Sequence, residues 1–174
     1  MEIVYQLVTM SEKWLDECGF HQHYFTDLNI FAYCLLAMLA IGVAACVLFY
    51  LTCCNNESNR MATTLNCWIA LAVALVVAFL VSKFAFFGGE ESGFVASSET
   101  FLNERMEDPD NPLTDSEKGL WTRTYENIKE DVSNGDDVEL MFDLTNVVLA
   151  LIAFCGTSFV VRRYTVHGSK IFLF

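Results

Sequence analysis

Charge is missing from the longest stretches of this chain. No Asp, Glu, Lys or Arg occurs from Leu28 to Leu51, from Leu65 to Val81, or from Leu144 to Val161. An uncharged apolar helix of about 18–20 residues spans the roughly 30 Å hydrocarbon core of a bilayer. With 54% apolar residues in 174, little is left over for a separate soluble core, which excludes an ordinary globular domain. Proline is nearly absent too. Pro109 and Pro112 stand together in Asp108-Pro109-Asp110-Asn111-Pro112 and mark a linker.

Other absences narrow the function. There is no CxxC and no Cys/His set at zinc spacing. Cys34, Cys46, Cys67 and Cys155 lie in apolar runs, where thiols behave as small hydrophobes; Cys53-Cys54 sit at a helix end, in reach of acylation. Neither acidic run is an EF-hand. A loop starting at Asp108 has Leu113 where glycine is needed, and one starting at Asp131 has Phe142 in place of the final Glu. The N-terminus lacks the basic region and small-residue cleavage site of a signal peptide. No nucleophile triad, phosphate loop or haem-type His pair lies in the spans, which predicts a non-catalytic protein without a metal or cofactor of its own, structural lipids aside.

What remains is an all-α integral membrane protein with three transmembrane helices. Residues 1–27 predict an amphipathic helix followed by aromatic interface anchors, Phe20 to Phe25, with Asp27 as the cap of the first span. His21 and His23 are expected to be interfacial imidazoles. Residues 28–87 form a transmembrane hairpin. Residues 88–137 form an acidic, partly helical extramembrane segment: a short helix around Phe94–Leu102, then a capping box at Thr114–Glu117. Residues 138–163 are the third span, and 164–174 a short basic and apolar tail.

The net charge of −12 resides in residues 88–143, which hold sixteen acids and four bases. Such a segment disfavours nucleic acid and anionic lipid, and suits a basic soluble partner. Lys/Arg placement sets orientation. Arg60 in the hinge and Arg162, Arg163 and Lys170 in the tail share one side, taken as the interior. The N-terminus and the acidic segment share the other.

Several residues are expected to carry the assembly. Ala40, Gly42 and Ala44 in the first span and Ala70, Ala74 and Ala78 in the second let helices approach closely. Lys83 and Asp143 fall at the same depth and are predicted to form an ion pair, supported by Asn146, because ionisable residues in spans pair or line a pathway. Trp121, Tyr125 and Ile128 recur at helical spacing and, with Phe172 and Phe174, are candidates for docking on a partner. Together these predict a non-catalytic accessory subunit of a multi-subunit membrane complex. A mitochondrial respiratory-chain complex or ATP synthase is favoured, with the tail in the matrix and the acidic segment in the intermembrane space. The alternative is a small oligomeric channel whose acidic segment attracts cations.

Overall fold

A computed structural model describes Tyr5, Thr9 and residues 16–54, 64–88, 93–134 and 137–164. The amphipathic helix expected before residue 16, Arg60 in the hinge, and Lys170, Phe172 and Phe174 lie outside the described residues, apart from Tyr5 and Thr9. Among the described residues every regular element is helical.

The short helix α1 (Phe20–Gln22) runs on as π-helix through His23–Asp27. Helix α2 (Ile30–Phe49) continues as π-helix over Tyr50–Cys54, and α3 (Thr64–Val81) does the same over Ser82–Phe87. Helices α4 (Gly93–Met106) and α5 (Asp115–Asn134) follow, and α6 (Asp137–Val161) ends the described chain. Among the described residues three segments are long and apolar enough to cross a membrane: Ile30–Cys53, Leu65–Phe87 and Val138–Val161, of 24, 23 and 24 residues. At 1.5 Å per residue each reaches about 35 Å, enough for the hydrocarbon core with some tilt. The protein is therefore all-α, with the make-up of a multi-pass membrane protein.

Local chemistry sets most boundaries. Asn29, not Asp27, precedes α2: it adopts the left-handed conformation (φ 58°), and its carbonyl accepts from Ala32 and Tyr33 N–H at 3.0 and 3.2 Å. Asp27 instead ends the preceding turn, its carboxylate 3.6 Å from His23 Nδ1. The capping box forms before α5. Glu117 Oε2 accepts from Thr114 N–H (2.8 Å) and from its hydroxyl (2.7 Å), which holds the Glu117 carboxyl below its usual range. Arg105 ties down the proline linker by donating to Asp108 (3.2 Å) and to Asn111 O (2.7 Å).

The chain divides into two compact units that do not follow the sequence-order segments. One comprises Met1–Tyr33 with Val81–Thr145, the other Cys34–Leu80 with Asn146–Phe174.

The first unit has an aromatic core. Phe25 is fully buried, with ring centroids of Phe142, Phe31 and Phe94 at 5.0, 5.2 and 5.8 Å. Tyr5 stacks on Phe31 at 4.5 Å, and Phe94 packs on Phe87 at 5.5 Å. Each such pair adds about 0.5–1.5 kcal/mol beyond its buried area. Gly93 permits the close return into α4: its φ is +63°, and a Cβ there would run into the Phe87 carbonyl. The residues expected at the membrane interface are thus inside the fold, since Phe20, His21, Tyr24 and Phe25 are all buried.

In the second unit Cys46, Phe49, Tyr50, Cys67, Leu71, Ala74 and Phe154 form the core. Gly42 lets α2 and α6 approach closely: a Cβ there would lie 2.5 Å from Ala150 O, 2.7 Å from Ala153 Cβ and 3.0 Å from Phe154 N. Tyr50 and Ser158, both buried, share a hydrogen bond of 2.8 Å between α6 and the π-helical end of the first span.

Candidate functional site at the ends of the second and third spans

The polar groups of the first unit converge where the second span ends and the third begins. Glu139 and Asp143 lie one turn apart on α6, both buried. Carboxylates inside a span must be compensated. Lys83, half-exposed on the π-helical end of the second span, supplies the compensation: its Nζ lies 3.0 Å from Glu139 Oε1. The ion pair predicted between Lys83 and Asp143 is corrected to Lys83–Glu139. Asp143 is met instead by Ser82, whose hydroxyl donates to its Oδ1. Adjacent residues on the second span therefore reach adjacent turns of the third, and two polar contacts fix their register. Asn146 is buried as well but belongs to the second unit.

Above this pair of contacts the aromatic core is edged by two histidines. Asp16 Oδ1 accepts from the backbone N–H of Cys18 (3.1 Å) and Phe20 (3.0 Å). Its Oδ2 takes the His21 N–H (3.0 Å) and Nδ1–H (2.9 Å). Burial acts to raise the Asp16 pKa, but the bonds from His21 and Phe20 outweigh it and hold the carboxyl below its usual value. His23 stacks on Phe101 with ring centroids 3.9 Å apart and planes 6° from parallel. Neither ring sits in a metal-binding set: no group of three His, Cys, Asp or Glu is placed to hold a metal among the described residues.

Three of the residues expected to dock on a partner, Trp121, Tyr125 and Ile128, make contacts within this unit. Trp121 packs edge-on against Phe20 (5.4 Å) and at a tilt on Phe101 (5.5 Å), Tyr125 donates to Glu99 Oε2 at 3.4 Å, and Ile128 is buried. Burial, reinforced by the Glu99 charge, pushes the Tyr125 phenol up.

The small residues of the spans divide. Gly42, Ala74 and Ala78 are buried and Ala70 half-buried, whereas Ala40 and Ala44 are exposed. The packing face of α2 in the second unit runs instead through Cys34, Met38, Gly42, Cys46 and Phe49. Ala44 opens into an apolar groove of about 650 Å³ between α2 and α3, walled by Ala45, Leu48, Ala70, Val73 and Ala74, with Thr52, Cys53 and Asn66 adding the polar groups.

Lys83 and Asp143 were singled out in the sequence, whereas Ser82, Glu139 and the aromatic core were not, since they carry no motif. The two polar contacts act as a register lock between the end of the second span and the start of the third. Compared with protein-family models, with curated proteins and with solved structures, the chain matches none.

Proposed function

We propose that the chain is a non-catalytic accessory subunit of a hetero-oligomeric membrane complex. The observation that carries this reading is the unused small-residue face of the second unit. Ala40 and Ala44 face outward, beside a groove walled by further alanines. Small residues let helix backbones approach closely in lipid, so such a face suits another subunit's helix. The spans are otherwise turned outward: buried residues make up 33, 22 and 33% of their most apolar stretches. Placement in a mitochondrial respiratory-chain complex or ATP synthase, with the tail in the matrix, rests on the Lys/Arg asymmetry and the lack of a disulfide pattern alone. A basic soluble partner at the acidic segment is compatible with this role.

The buried carboxylates Glu139 and Asp143 favour a second reading, a small oligomeric channel with an acidic vestibule. Native electrophoresis of the endogenous membrane in gentle detergent, with the chain located by mass spectrometry, separates the two. Migration within a band of many different subunits supports the accessory role. Migration alone or as a homo-oligomer refutes it and favours the channel.

A further inference from the structure

We infer that Arg162 and Arg163 form a binding site for the phosphate of an anionic membrane phospholipid. Both guanidinium groups are held over one ring: their Cζ atoms lie 4.7 and 5.2 Å from the centroid of Phe159. Both distances fall inside the roughly 6 Å range of a cation–π contact. Phe159 is half exposed on the membrane-length helix α6, and Val160 beside it is exposed too. The ring therefore fixes two cations at the rim of an outward-facing apolar surface.

Nothing in the described chain neutralises them. The ion pairs formed among the described residues involve Lys83, Arg105, His21 and His23, and neither Arg162 nor Arg163 has a carboxylate within salt-bridge distance. No Asp or Glu occurs after Asp143. Two like charges sharing one ring repel each other, and an anion received between them removes that cost. Guanidinium forks match phosphate oxygens bidentately.

Position selects the source of the phosphate. The helix closes here, with Arg162 N–H donating to Ser158 O (3.1 Å) and Tyr164 N–H to Val161 O (2.9 Å). Tyr164 is 82% exposed, as befits an aromatic at the headgroup level. A lipid whose phosphate lies between the arginines has its acyl chains against Phe159 and Val160, whereas a free phosphate gains nothing from that surface. This site is independent of the accessory-subunit reading.

The test uses the full chain in mixed micelles holding equal phosphatidylglycerol and phosphatidylcholine, with lipid retention read by native mass spectrometry. Each arginine near a membrane surface contributes enough for about a fivefold preference, so the pair predicts roughly 25-fold retention of phosphatidylglycerol. Arg162→Gln or Arg163→Gln each lowers the ratio about fivefold, and the double variant brings it close to one. Equal retention of both lipids by the wild type overturns the inference. So does an undiminished ratio in a double variant of normal helical content. Should that variant fail to insert, inorganic phosphate is titrated into the wild type. Displacement of the lipid by equimolar phosphate assigns the site to free phosphate and overturns it equally, whereas retention supports it.

Discussion

Gly42 offers the sharpest test of how the second unit is packed. Replacing it with alanine adds one methyl group, and the structure says what that group meets: Ala150 O at 2.5 Å, Ala153 Cβ at 2.7 Å and Phe154 N at 3.0 Å. Two of the three are backbone atoms, so the contact is relieved only by moving α6 away from α2. Overpacking of this kind costs about 1–3 kcal/mol, and rigid neighbours place Gly42 near the top of that range. Against it stands the helix preference for alanine over glycine, about 1 kcal/mol. The net expectation for Gly42→Ala is a loss of about 1–2 kcal/mol. Ala40→Leu, two residues away on an exposed face, is the matched control and is expected to change stability by under about 0.5 kcal/mol. Reversible unfolding of the full chain in mixed micelles, followed by circular dichroism as denaturing detergent is added, measures both. A Gly42→Ala protein as stable as wild type, or an Ala40→Leu protein that loses as much, would refute this packing.

Two further predictions concern the first unit. Lys83→Met leaves Glu139 buried without its cation and is expected to destabilise by about 3 kcal/mol, at the low end for a broken buried pair because Lys83 is half-exposed. Adding Glu139→Gln to Lys83→Met recovers most of that loss in the same unfolding assay, whereas adding Asp143→Asn does not; the reverse pattern would make Asp143 the partner. For Asp16, the folded carboxyl sits below its ordinary value of 3.8, so its contribution is complete above that value and is lost as pH falls through the lower folded pKa. Acid titration followed by tryptophan fluorescence is expected to show an unfolding step below about pH 4 that Asp16→Asn flattens, and an unchanged titration in the variant would count against it.

The membrane helices were legible because lipid imposes a simple rule, long apolar runs with few charges, which Ile30–Cys53, Leu65–Phe87 and Val138–Val161 satisfy. The capping box was legible for a similar reason, its partners being three residues apart. What stayed hidden depends on contacts between distant segments. Phe25, Phe31, Phe87, Phe94 and Phe142 look in sequence like any aromatic near a bilayer, yet they are one buried core. Equal depth brought Lys83 to the start of the third span but could not choose between carboxylates one turn apart. Ser82 takes Asp143, and Glu139 is left for the ammonium. Likewise, alanine spacing cannot report which side of α2 faces inward. The larger Cys34, Met38 and Cys46 alternate with Gly42 on the packed side and turn Ala40 and Ala44 outward.

That outward face is where the accessory-subunit account is most exposed to contradiction. A photo-activatable crosslinker placed at Ala40 or Ala44 and irradiated in the native membrane reports directly what covers it. The expected product is an adduct with a different polypeptide, one per position, identified by mass spectrometry. Adducts with lipid alone, or with a second copy of the same chain, would contradict it.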